Sequence, residues 1–150
     1  GHIALNTGVS SGAEEILIPE ENMGLDRLIQ SLKRSQNTGK SSSIVVVAEG
    51  DNTGENVFDL KKYVEKHLPD YEARVSVLGH MQRGGSPSCF DRVLASRLGV
   101  KAVESMINGE NSVMTGLKNN LVVLTPFKKA IKGITKINTE LLKVSDIMSI

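Results

Sequence analysis

The chain has 150 residues, enough for one compact domain with a sizeable core or for part of a larger two-domain protein. Its 18 basic and 17 acidic side chains leave a net charge of +1, aromatics make up only 3% and tryptophan is absent, so it shows neither the charge footprint nor the stacking platforms of a nucleic-acid binder. The single Cys89 can form no internal disulfide, and no apolar run approaches membrane-spanning length, so the composition predicts a soluble, cytoplasmic protein with no membrane partner.

Residues 2 to 10 place Ile3, Ala4, Leu5 and Val9 at helical spacing, and Ser10-Ser11-Gly12 supplies a stop. Glu15-Ile16-Leu17-Ile18-Pro19 reads as a short buried strand, with Glu14 at its entrance and the acidic loop Glu20-Glu21-Asn22 after it. Leu25, Leu28, Ile29 and Leu32 then predict an amphipathic helix that ends at Asn37-Thr38-Gly39. Ser43 to Ala48 is the strongest strand signal, unbroken and β-branched, expected in mid-sheet with both faces covered; Glu49 and the loop Gly50-Asp51-Asn52-Thr53-Gly54 follow. Val57, Leu60, Val64 and Leu68 mark the next helix, stopped by Pro69-Asp70, and the alternation from Arg74 to Leu78 predicts a further strand.

That predicted strand leads into Gly79-His80-Met81-Gln82-Arg83-Gly84-Gly85-Ser86-Pro87, where an imidazole, an amide and a guanidinium stand beside two glycines. Ser86 and Pro87 fit an N-cap and a first helical position. The pattern reads either as an anion grip at the carboxyl end of a strand or as a strand-to-helix turn whose His80 and Arg83 face water. A long helical pattern through Phe90, Val93, Leu94, Leu98, Val103 and Ile107 closes at Asn108-Gly109. Val113 to Leu117 and Leu121 to Leu124 predict two strands around a turn at Lys118-Asn119-Asn120. Helices over about 126–132 and 139–148 finish the chain. Strands alternating with helices predict an α/β fold, a layered and mostly parallel sheet with flanking helices.

Three strand exits carry polar residues suited to one ligand: Glu20 with Glu21, Glu49, and His80 with Arg83. Carboxylates accept hydrogen bonds from hydroxyls, whereas His and Arg suit a phosphate, so together they describe a sugar phosphate. Glu49 serves equally well as a cap for the next helix. Arg74 sits at the opposite end of its predicted strand, so it reaches such a ligand only through a neighbouring subunit, or it is simply solvated. His2, His67 and His80 lie far apart in sequence, and no metal-ligand spacing, nucleophile elbow, Walker-type loop or Gly-x-Gly-x-x-Gly loop occurs. The residues by themselves therefore describe a half-site for a phosphorylated ligand without a phosphoryl-transfer base.

The run from Gly79 to Pro87, with Asp91-Arg92-Val93-Leu94-Ala95-Ser96-Arg97 after it, closely resembles the bacterial 6-phosphofructokinases. The likeness extends through Gly1-His2-Ile3-Ala4-Leu5, Gly12-Ala13-Glu14 and Ile18-Pro19-Glu20. It implies a glycolytic transferase, a Mg²⁺-dependent kinase of partial Rossmann-like phosphofructokinase fold that moves the γ-phosphoryl of ATP to fructose 6-phosphate, generally as a homotetramer. On that pattern His80 and Arg83, with Met81 and Gln82 in the same stretch, bind the 6-phosphate end, Glu49 meets sugar hydroxyls, and Arg74 serves an adjacent subunit's site. An allosteric effector site for ADP is implied at Gly12, Ala13 and Glu14 with Lys40, Ser41 and Ser42, Glu14 meeting the metal that ADP carries. The family often has lysines on both sides of the glycine before Lys40, whereas this chain reads Thr38-Gly39-Lys40 and has one lysine there. The family's ATP loop, Mg²⁺ aspartate and catalytic aspartate are expected to precede Gly1, making the chain an inactive C-terminal fragment with ATP and Mg²⁺ held mainly elsewhere. The resemblance places residues 1–85, completed by 134–150, in a sugar-phosphate domain, and 86–133 in a nucleotide domain. Two rivals stay open: a pyrophosphate donor, and a non-catalytic module that binds sugar phosphate or ADP.

Overall fold

The computed structural model describes residues 1–21, 24–50, 56–133 and 136–148. The predicted positions Asn22 and Asp51 to Gly54 lie outside them. Two compact units form, Gly1–Val77 with Lys136–Ile150, and Leu78–Thr135.

The first unit has three layers. Helix α1 (His2–Ser11) leads to β1 (Glu15–Leu17), helix α2 (Gly24–Asn37) leads to β2 (Val45–Val47), and α3 (Val57–His67) and α6 (Thr139–Met148) complete it. Strands β1 and β2 are parallel, with Glu15, Ile16 and Leu17 opposite Val45, Val46 and Val47. Because side chains alternate across a strand, β1 feeds two cores. Leu17 packs with Leu28, Ile29 and Leu32 of α2 and with Leu60, Val64 and Leu68, while Ile16 and Ile18 pack with Ala4, Leu5, Ala13 and Leu142. Tyr71 fixes the first core by donating its hydroxyl to the Leu32 carbonyl at 2.8 Å.

Close approach holds α1 on the sheet: a Cβ on Gly8 would lie 2.3 Å from Ile16 Cδ1. Both α1 and α2 end in Schellman turns, in which a left-handed glycine lets the next amide reach back to the last helical turn. Gly12 (φ 68) sends the Ala13 N–H to the Gly8 carbonyl, and Gly39 (φ 82) sends the Lys40 N–H to the Ser35 carbonyl.

The second unit joins a 3₁₀ turn (Gly79–Arg83), helix α4 (Cys89–Ile107), strands β3 (Val113–Lys118) and β4 (Leu121–Pro126), and α5 (Phe127–Ala130). Strands β3 and β4 form an antiparallel hairpin through Asn119 and Asn120, both at positive φ (51 and 61), as a type I′ turn requires. Arg97 of α4 holds the tip, donating Nη2 to the Asn120 carbonyl at 2.6 Å. Helix α4 buries little: Ser105 is its one buried residue, while Phe90, Val100, Val103, Met106 and Ile107 are all more than half exposed.

The α/β class holds, with a parallel pair between helices, and three local expectations are corrected. Residues 74–78 join no ladder among the described residues, because Val77 and Leu78, 69% and 51% exposed, find no core to favour strand alternation. The run from Ser43 to Ala48 is packed on both faces, Val45 and Val47 against the first core and Val46 and Ala48 against the second, but among the described residues its strand pairs only with β1 and stays half-buried instead of lying in mid-sheet. Helix α4 is capped by Ser88, two residues beyond the expected Ser86. Its hydroxyl accepts from the Asp91 N–H, and the Asp91 carboxylate accepts from the Ser88 N–H at 2.8 Å and hydroxyl at 2.7 Å. This reciprocal box satisfies two amides, which a cap at Ser86 followed by proline does not.

Candidate functional site

The stretch Gly79 to Pro87 is a turn whose functional side chains point to solvent. Gly79 (φ 48) and Gly85 (φ 99) bracket it, the Met81 N–H donates to the Leu78 carbonyl at 3.0 Å, and the Gly84 N–H donates to the Met81 carbonyl at 3.1 Å. His80, Met81, Gln82 and Arg83 are all exposed. The side chains of His80 and Arg83 have no hydrogen bond or ion pair among the described residues, so their donors remain for a ligand. The capping box of α4 stands just behind. Asp91 is held below the ordinary aspartate pKa first by the Ser88 hydroxyl and then by the Ser88 N–H. Cys89, the first residue of α4, is exposed.

In the first unit, Glu49 follows β2 in an exposed turn, and its side chain has no partner among the described residues. Arg74 is exposed and forks onto its neighbour Glu72, with Nε and Nη2 at 3.1 and 3.0 Å from Oε1. Glu20, beyond β1, is exposed.

The two Schellman turns bring Glu14 and Lys40 together, 26 residues apart in sequence. Lys40 Nζ lies 3.4 Å from Glu14 Oε1, and the buried Glu14 carboxylate also accepts from the Ile44 N–H. Gly12 is exposed, Ala13 is buried in the second core, and Ser41 and Ser42 are exposed beside Lys40. The cluster therefore offers an incoming anion only a cation that Glu14 already holds. Among the described residues no three His, Cys, Asp or Glu side chains gather as a metal site.

Sequence reasoning missed Glu15. Its buried carboxylate accepts from the Ser31 hydroxyl at 2.7 Å and lies 3.5 Å from Arg27 Nε. Arg27 also pairs with Asp146 of α6 through Nη2. Burial opposes the Arg27 charge, but Glu15 and Asp146 outweigh it and raise the pKa above the ordinary arginine value. An acidic residue at the head of a buried strand was the available signal, since such a charge needs a partner on the helix that covers it.

The family model described as Phosphofructokinase matches residues 1–106. The chain belongs to the phosphofructokinase family. It is 47% identical over 150 residues to ATP-dependent 6-phosphofructokinase 1 of Thermus thermophilus and 41% identical to ATP-dependent 6-phosphofructokinase 2 of Bacteroides thetaiotaomicron, all of the chain matching 46% of each relative. The chain therefore spans about half the length of the curated relatives it matches. The Pichia pastoris phosphofructokinase in its T-state superposes with a TM-score of 0.72 at 27% identity, covering 97% of this chain and 16% of that one. Saccharomyces cerevisiae phosphofructokinase shares the fold at a TM-score of 0.80 and 22% identity, over 99% of this chain and 23% of that one. These likenesses establish a partial phosphofructokinase fold. No helix among the described residues is long and apolar enough to cross a membrane.

Proposed function

We propose that this chain is about half of an ATP-dependent 6-phosphofructokinase and that it holds the sugar phosphate, while the phosphoryl-transfer machinery lies in the rest of the enzyme. The carrying observation is the 47% identity, maintained across all 150 residues, to a protein of that activity. The exposed, unengaged donors of His80 and Arg83 support the phosphate role, since a phosphate gains most from cations that no carboxylate has neutralised. Met81 and Gln82 belong to the same turn. Glu49, exposed and acceptor-only, suits sugar hydroxyls. Arg74 must exchange Glu72 for a ligand, and the proposal assigns it to a neighbouring subunit's site in a homotetramer. The domain assignment is part of the reading: residues 1–85 and 134–150 belong to the sugar-phosphate domain and 86–133 to the nucleotide domain.

ATP as donor rests on the names of the relatives. On the family resemblance, Mg²⁺ and ATP are assigned mainly to the remainder of the enzyme. The cluster of Gly12, Ala13, Glu14, Lys40, Ser41 and Ser42 is read as an effector site for ADP or a similar phosphorylated ligand. Its pairing of Lys40 with Glu14 supports weak binding there.

In the full-length enzyme, Arg83→Ala should raise KM for fructose 6-phosphate by roughly 10- to 100-fold, the range expected when a charge-assisted contact is lost, with a smaller effect on kcat. An unchanged KM removes Arg83 from the phosphate grip. The 150-residue chain by itself should show no turnover with either ATP or pyrophosphate, and measurable turnover would place the transfer machinery within it.

A further inference from the structure

One face of α2 has chemistry that the sugar-site reading leaves unused. Arg27, Gln30, Ser31 and Arg34 follow the i, i+3, i+4, i+7 spacing that aligns side chains along a helix. Together with Asp146 of α6 they line a cleft of about 300 Å³. Its two guanidiniums differ. Arg27 is shared between Glu15 and Asp146, whereas Arg34 is exposed and has no ion pair among the described residues. The two carboxylates on Arg27 differ as well: Glu15 is 5% exposed and further held by Ser31, and Asp146 is 51% exposed. An anion entering the cleft therefore competes with Asp146 for Arg27 and leaves Glu15 in place. Leu142 is the one buried residue among the ten of helix α6, and Leu141 packs against the same core.

We propose that this cleft binds a small molecule with two oxyanion groups, one meeting Arg34 with Gln30 and the other meeting Arg27, and that binding draws Arg27 from Asp146 and loosens α6. Two anionic groups match the two guanidiniums, whose Cα atoms stand about 10 Å apart along seven residues of helix.

Hydrogen exchange on the full chain tests the proposal, with inorganic pyrophosphate and succinate as probes and sodium chloride at matched ionic strength as control. Amides of Thr139–Met148 should exchange about threefold faster with saturating pyrophosphate or succinate, the scale set by one partly exposed ion pair, and should not respond to chloride. Arg34→Gln should keep the basal exchange of α6 and lose the response. Asp146→Asn should raise the basal exchange and respond no further. An equal response to chloride, a response that persists in Arg34→Gln, or no response to either probe overturns the proposal.

Discussion

Replacing Gly8 by alanine sets two effects of known sign against each other. In a helix interior alanine is favoured over glycine by about 1 kcal/mol, so propensity alone predicts a more stable α1. The new Cβ, however, would lie 2.3 Å from Ile16 Cδ1 and 2.5 Å from Ile16 Cγ1, and Ile16 is only 3% exposed, with both of its neighbouring layers packed. Overpacking of a filled core costs about 1–3 kcal/mol, and contacts this short belong at the upper end. Packing should win, leaving Gly8→Ala less stable by about 2 kcal/mol, which lowers the urea midpoint of the α1 and β1 amide signals by about 1 M. The same measurement on Ile16→Ala and on the double variant isolates the cause, because removing Cγ1 and Cδ1 makes room for the methyl. The cycle should give a favourable coupling of about 3 kcal/mol, the whole steric cost, because the propensity gain is common to both backgrounds. A midpoint that rises in Gly8→Ala, or costs that simply add, would refute the claim that helix–strand contact dictates this glycine.

Ser88→Ala removes the cap of α4 and should cost about 1 kcal/mol, seen as faster exchange of the first-turn amides of α4; unchanged exchange would show that the cap is idle. The Asp91 carboxylate, lowered by its bonds from Ser88, should titrate below a free aspartate in carboxyl-carbon NMR. Its folded pKa lies below its unfolded one, so its contribution is complete above the unfolded value and is lost as pH falls through the folded one. Fraying of α4 should therefore grow in acid, and a normal aspartate titration would contradict this. Tyr71→Phe removes the hydroxyl that adds a second donor to the Leu32 carbonyl and should cost about 1 kcal/mol by denaturation; a neutral result would mean that water replaces the hydroxyl.

Local signals in the sequence were enough for much of the first unit. The spacing of Leu25, Leu28, Ile29 and Leu32 gives α2, and the stops at Gly12 and Gly39 become the two Schellman turns. The start of α4 was legible too, since Ser88 precedes Asp91 by three residues, but Ser86-Pro87 offers a competing start two residues earlier. Residues 74–78 show the limit of periodicity. Alternation qualifies a segment to pair, and whether a neighbour pairs with it is decided elsewhere in the chain. The link between Arg27 and Asp146 spans 119 residues and has no local signature. At the candidate site, the turn holding His80 and Arg83 was legible as a cluster of donors. Their exposure, the hold of Glu14 on Lys40 and the tie of Arg74 to Glu72 all depend on where the backbone turns, and spacing alone does not carry that information.

Helix α4 presents Phe90, Val93, Val100, Val103, Met106 and Ile107 on its surface, each 53% exposed or more. Cellular quality control recognises such apolar display as the mark of an unfinished protein, and holdase chaperones act on states that present it. The lifetime of this chain in a cell is then set by how soon another surface covers α4, in competition with chaperones and proteases. A substitution far from any ligand, such as Val103→Lys, should consequently change the abundance of the chain more than its affinity for a sugar phosphate.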